Sequence, residues 1–215
     1  MKSPYIDIHT HSHEREENII KISSYLIGRD KEIPQGYFSA GILPWSTQTA
    51  STEMLSIFTN PPENMVAIGE IGLDFAAKNL DKAAQYKWFS TQLAIAEKLR
   101  LPVILHCVKA YNEVLAELNN YNLEAVIFHS FIGSKELLKQ LIDRHYCVSI
   151  GSNSLRSPKT IEALKSFPEN VFFIETDDSG DDITRLYMQA SSLSGRNEAD
   201  LRTNIYQLFK DIFDK

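Results

Sequence analysis

Cysteine is scarce in this chain, and it has no long apolar run, no low-complexity tract and no Pro/Gly-rich linker. The two cysteines, Cys107 and Cys147, both sit inside apolar runs, which points to buried free thiols and excludes a disulfide framework. A membrane-spanning helix needs roughly 18 or more consecutive apolar residues, and none is present, so no membrane role is expected. Met1-Lys2-Ser3-Pro4 leads straight into a strand-like segment without the charged and apolar regions of a secretory signal, so a cytoplasmic location is expected. A basic stripe is also missing. With 22 Lys and Arg against 28 Asp and Glu, net charge −6, the chain cannot bind nucleic acid by broad phosphate neutralisation. Any such contact must be local, with bound cations supplying the positive charge. What the sequence does have is 215 residues, 43% of them hydrophobic, enough for one substantial core and too little for two. One domain covering residues 1–215 is expected.

Short β-branched apolar runs alternate with segments of helical periodicity, the pattern of repeated βα units around a parallel sheet. Eight strands are predicted, at 5–9, 19–26, 38–43, 66–71, 103–106, 125–129, 147–150 and 171–175. Helices are predicted at 81–100, 111–119, 134–143, 158–167, 181–192 and 198–213, with Ser134 and Ser157 as N-caps and Gly195 as a stop. The fold class is α/β, a distorted TIM (β/α)8-type barrel. His11 to Ile19 is too short for a crossover helix, so the first helix should be missing or shortened to a turn.

The first strand ends in Asp7-Ile8-His9-Thr10-His11, and strand alternation puts His9 and His11 on one side, about 6–7 Å apart. Two imidazoles so placed can grip one cation, although a lone H-x-H is also compatible with surface or core histidines. Other strand ends add to it. Glu70, His106, His129 and Asp177 each follow an apolar strand-like run. In a parallel barrel such C-terminal ends converge on one mouth. Taken singly, Glu70 and Asp177 could be helix caps and His106 and His129 buried hydrogen-bonded histidines; taken together, six metal-competent groups favour a metal site. Imidazoles and carboxylates without thiolate suit Zn²⁺, Mn²⁺ or Co²⁺. Cys107 alternates to the side away from His106 and is expected to pack.

The strings His9-Thr10-His11, Gly69-Glu70-Ile71-Gly72-Leu73-Asp74, Leu101-Pro102-Val103-Ile104-Leu105-His106-Cys107, His129-Ser130-Phe131-Ile132-Gly133-Ser134 and Glu175-Thr176-Asp177 run in matching order along most of the chain. Together they resemble the TatD-like metal-dependent deoxyribonuclease family of the amidohydrolase superfamily. The resemblance implies a short divergent member with a distorted TIM barrel that hydrolyses phosphodiester bonds, commonly in DNA, by a hydroxide bridged between two divalent metal ions, Zn, Mn, Co or Mg. By that analogy His9 and His11 hold one cation, His106 and His129 the other, and Glu70 bridges them. Asp177 completes the first and handles the proton, which makes Asp177 and Glu70 the catalytic residues.

Where the family has Gly-Ile-His-Pro, this chain has Gly41-Ile42-Leu43-Pro44; where it has Arg-Asp after His-Cys, here stand Val108-Lys109; and Asp-Ala-Pro becomes Asp177-Asp178-Ser179, with a following loop largely absent. The metal-holding positions are kept and the substrate-facing ones altered, so hydrolysis is better supported than DNA as substrate. Expected substrate contacts are Lys109 on a phosphate, Trp45 stacking on a base or sugar, and Gly133 and Ser134 offering helix N-terminal N–H groups to an anion. Surface exposure, loop packing and simple capping are their ordinary alternatives. Two rivals to a phosphodiesterase remain: a hydrolase of a small ester, lactone or amide using the same metals, and a non-catalytic metal-binding or interaction protein.

Overall fold

The computed structural model describes residues 2–166, 168 and 171–214. Eight parallel strands follow one another in chain order: β1 (Tyr5–Thr10), β2 (Ile19–Leu26), β3 (Phe38–Gly41), β4 (Met65–Asp74), β5 (Val103–Val108), β6 (Val126–Phe128), β7 (Cys147–Ile150) and β8 (Phe172–Ile174). The helices are α1 (Lys82–Leu99), α2 (Tyr111–Leu118), α3 (Lys135–Ile142), α4 (Ser152–Leu155), α5 (Pro158–Leu164), α6 (Ile183–Ser194) and α7 (Glu198–Phe213). Strand order, parallel sense and the bridge from Thr10 on β1 to Asp177 after β8 are those of a TIM-type α/β barrel. The expected fold class is borne out. Among the described residues no helix is long and apolar enough to cross a membrane.

β2, β7 and α7 fall at the predicted bounds, and α1 matches once its caps Asp81 and Arg100 are set aside. The predicted end of the 158–167 helix, at residue 167, lies outside the described residues. No α-helix lies between β1 and β2, as expected. The shortage goes further: among the described residues the first three crossovers carry no α-helix, only 3₁₀ turns at Pro44–Ser46 and Thr52–Phe58. Pro34, Gly36, Pro44, Pro61 and Pro62, with hydroxyl residues between, keep these stretches from helical propagation. β3 stops at Gly41, two residues short of prediction. The N–H of Ile42 is taken by Oε1 of Gln92 on α1 at 2.6 Å, and Nε2 of the same side chain donates to Ile42 C=O at 3.1 Å.

The chain divides into two compact units, residues 1–23 with 127–215, and residues 24–126. In the second unit α1 packs on β4, burying Trp88, Phe89, Leu93 and Ala96. Gln85, one further α-helical position set toward the strand, clamps the β4 end by accepting from Asp74 N–H at 2.8 Å and donating to Asp74 C=O at 3.1 Å. Gly72, at φ 147°, lies opposite His106 in the β4–β5 register, and a Cβ there would be 1.9 Å from the His106 carbonyl oxygen. Only glycine lets these two strands approach so closely.

In the first unit α6 and α7 pack on β1. Leu201, Ile205 and Phe209 are the buried stripe of α7 at the i, i+4, i+8 spacing. Tyr187 on α6 is wholly buried, and its hydroxyl accepts from Ile6 N–H and donates to Ile6 C=O, each at 3.1 Å. Tyr187→Phe strands a buried donor and acceptor on β1, at about 1–3 kcal/mol. In a chain of this size that lowers Tm by roughly 2–12 °C. Thermal unfolding of the variant checks this, and an unchanged Tm rejects the clamp as a source of stability.

Candidate metal centre

In the unit that contains β1 and β8, the strand ends bring three of the predicted ligands together. His9 is wholly buried, while the side chains of His11 and Asp177 are 29% and 28% exposed. Asp177 Oδ1 lies 3.4 Å from His11 Nε2 and 3.6 Å from His9 Nε2. The backbone fixes this approach: Asp177 N–H donates to His9 C=O at 2.9 Å, and His11 N–H donates to Asp177 C=O at 3.1 Å. Asp177 sits in the left-handed region at φ 52°, and so do Ser130 after β6 (φ 49°) and Lys109 after β5 (φ 52°). All three directly follow strand C-terminal ends or lie within three residues of them.

The His9 and His129 rings lie 4.5 Å apart, and His129 Nδ1 is 3.6 Å from Glu175 Oε1. Glu175 is wholly buried and its Oε2 accepts a short bond from Ser149 Oγ. Donor atoms of His9, His11 and Asp177, and again of His129, Glu175 and Asp177, lie within 4.8 Å of one another. Ligand atoms about 2.0–2.2 Å from a tetrahedral ion stand about 3.4 Å apart, so the Asp177–histidine separations suit a divalent cation. Two nitrogens and an oxygen without thiolate suit Zn²⁺ or Mn²⁺. Burial pushes the Asp7 carboxyl up to about 7, its bonds from Thr176 opposing the rise. A cavity of about 570 Å³ opens beside His11 and Asp177, bordered by Asp7, Glu16, Asp178, Asp181 and Asp182, with Lys21 as its basic residue.

In the other unit, Glu70 and His106 are both nearly buried, and Glu70 Oε1 lies 2.8 Å from His106 Nδ1. His106 Nε2 faces Asp74 Oδ2 at 3.3 Å, and Asp74 Oδ1 accepts from the N–H groups of Ala76 and Ala77 at 2.8 and 2.9 Å. The indole of Trp45 stands edge-on to the His106 ring, 4.8 Å between centroids, with 48% of the residue exposed. Lys109 is exposed just beyond β5. Back in the first unit, Gly133 N–H donates to Thr160 Oγ1 at 3.2 Å, and Ser134 Oγ accepts from Leu137 N–H at 3.4 Å as the N-cap of α3. Cys147 is buried and Cys107 half-buried; both are free, and burial pushes each thiol up to about 12.

Sequence reasoning assigned no role to Asp74 or Glu175, although both lie in the quoted strings. The available signal was position alone: Glu175 two residues before Asp177, and Asp74 four after Glu70, on the same face of an alternating strand.

The 3'-5' ssDNA/RNA exonuclease TatD of Salmonella typhimurium is 32% identical over 157 residues, covering 68% of this chain and 59% of the relative. The uncharacterized metal-dependent hydrolase YabD of Bacillus subtilis is 35% identical over 121 residues, covering 54% of this chain and 47% of the relative. The chain thus spans about half the length of the curated relatives it matches. Among solved structures, YJJV, the TatD homolog from Escherichia coli K12, superimposes with a TM-score of 0.86 at 19% identity, covering 100% of both chains. The hydrolase TatD family protein from Entamoeba histolytica gives 0.82 at 17% identity, covering 99% of both. Residues 17–185 match the family described as TatD related DNase, most of the chain, and the chain belongs to that family.

Proposed function

We propose that residues 1–215 form one metal-dependent hydrolase domain that cleaves phosphodiester bonds of DNA or short oligonucleotides. The observation that carries the reading is Asp177 Oδ1 meeting the imidazole nitrogens of His11 and His9 at 3.4 and 3.6 Å on adjoining strand ends. Those three side chains hold one divalent cation. The count of two cations, with Glu70, His106 and His129 as the further ligands, rests on the family resemblance; Glu70 and His106 lie within β4 and β5, and His129 directly follows β6. Divalent cations, when bound, polarise the scissile phosphoryl or carbonyl oxygen and lower the pKa of water. The imidazole nitrogens serve as cation ligands, and Asp177, partly open to the cavity, takes the proton from the attacking water. Trp45 offers a ring face to a base or sugar, and Lys109 a charge to phosphate. Gly133 and Ser134 contribute less, since both polar groups already have protein partners.

A second reading has its own support. Bordering the cavity are Glu16, Asp177, Asp178, Asp181 and Asp182, besides the buried Asp7, with Lys21 as the basic residue. Such a wall repels a polyanionic strand and tolerates a neutral ester, lactone or amide. The test is hydrolysis of bis(p-nitrophenyl) phosphate, a single-stranded oligonucleotide and a panel of carboxylic esters, each with added Mn²⁺ or Zn²⁺ and after chelation. Metal-dependent phosphodiester turnover supports the first reading, and metal-dependent turnover confined to the ester panel supports the second. Turnover that survives complete chelation rejects both.

A further inference from the structure

A buried carboxylate that the proposed reaction does not use lies next to the His9, His11 and Asp177 set. Asp7 is two residues before His9 on the same side of β1, and is 1% exposed. Both of its oxygens accept from one residue: Oδ1 from Thr176 N–H at 2.9 Å and Oδ2 from Thr176 Oγ1 at 2.7 Å. A hydroxyl has a single proton. With Asp7 ionised, Thr176 gives its proton to the carboxylate, so its oxygen meets Thr10 Oγ1, 2.8 Å away, as an acceptor. Thr10 therefore donates to Thr176, and Thr10 Oγ1 itself accepts from Ser12 N–H at 3.2 Å. The chain of donors runs one way, from Ser12 through Thr10 and Thr176 to the Asp7 carboxyl.

This chain pins the backbone on both sides of the candidate ligands. Thr10 lies between His9 and His11, and Thr176 directly precedes Asp177. With the two backbone bonds that join Asp177 to His9 and His11, the three ligands are held on a cross-linked frame whose terminus is Asp7. A buried carboxylate is expensive to desolvate, and stability alone is served better by an apolar or amide side chain. We propose that Asp7 is a positioning residue: through Thr176 and Thr10 it preorganises His9, His11 and Asp177 to grip a divalent cation.

This inference rests on the metal-binding reading above, and the experiment separates the two. The chelator-stripped full-length chain is titrated with Zn²⁺ or Mn²⁺ alone by calorimetry, alongside Asp7→Asn, Thr176→Val and Thr176→Ser, with Tm measured on each apo protein. Asp7→Asn keeps the shape but replaces one acceptor by a donor, which reverses the hydroxyl chain. Thr176→Val removes the linking hydroxyl, and Thr176→Ser retains it. Outer partners of metal ligands typically contribute about 10–100-fold in affinity. Asp7→Asn and Thr176→Val are expected to bind the cation about 10–100-fold more weakly with little change in apo Tm, and Thr176→Ser to bind within about threefold of the wild type. Wild-type affinity in both Asp7→Asn and Thr176→Val overturns the positioning role alone. So does a loss in both that merely tracks a lowered apo Tm. Should Asp7→Asn not fold, Thr176→Val against Thr176→Ser decides the matter. A wild-type chain that binds no cation overturns the metal reading itself, and this inference with it.

Discussion

Asp177→Asn is expected to lose on the order of 10²–10⁴ in kcat while at least one cation stays bound, the usual worth of a positioned general base. Asp177, three residues beyond the end of β8, lines the cavity, and its backbone is locked by bonds to His9 and His11. Its Oδ1 faces both imidazoles, so an asparagine can present a carbonyl oxygen to the same two partners and keep the local frame. What asparagine cannot do is accept a proton from water. The side chain is more than a quarter exposed, so the substitution relieves little burial and strands no deeply buried charge. Tm should therefore change little. If Asp177 is only a structural carboxylate, the pattern inverts, with Tm modestly lower and turnover nearly intact. Metal content, Tm and kcat measured on one preparation distinguish the cases, and near-wild-type kcat with cation bound ends the general-base assignment.

The candidate ligands were legible in the sequence because they obey two local rules: they end apolar strand-like runs, and His9 and His11 share the period of a strand. β2, β7 and α7 were legible to the residue for the same reason, since their periodicity and bounding residues agree. Tertiary partners were not legible. Asp7 reads as an ordinary strand residue until Thr176, 169 positions away, is folded against it. Asp74 reads as the end of a motif until His106 arrives from the next strand. β3 was predicted two residues too long because Ile42 and Leu43 are apolar and β-compatible; nothing local announces that Gln92 will pull Ile42 out of the sheet. Gln85 and Gln92 sit seven apart on α1, the spacing of one helix face, but polar residues on a buried stripe read as solvent-facing until the backbone they clamp is known. Local pattern thus picks out the candidate ligands, and the long-range hydrogen bonds around them come only with the fold.

Gly72→Ala is expected to be the most destabilising single-methyl change in the unit that carries Glu70 and His106. At φ 147° an L-residue is strained, at about 1–3 kcal/mol. The added Cβ would also stand 1.9 Å from the carbonyl oxygen, 2.9 Å from the carbonyl carbon and 3.1 Å from the nitrogen of His106, all backbone atoms with no rotamer to yield. Overpacking of this kind costs typically about 1–3 kcal/mol more, and here the alternative is to part β4 from β5. The two effects sum to roughly 2–6 kcal/mol, a fall in Tm of roughly 4–24 °C for a chain of this length. Gly36→Ala is the control: its Cβ would meet nothing within 4 Å and its φ is not in the left-handed range, so it should change stability by less than about 0.5 kcal/mol. The strands cannot part at Gly72 without moving His106, the residue opposite it in register, away from Glu70 at 2.8 Å. Gly72→Ala should therefore also weaken cation-dependent turnover, measured below its own melting transition, whereas Gly36→Ala should leave it unchanged. A Gly72→Ala protein that melts within about 2 °C of the wild type would show that β4 and β5 can separate at small cost, contrary to the close approach on which this estimate depends.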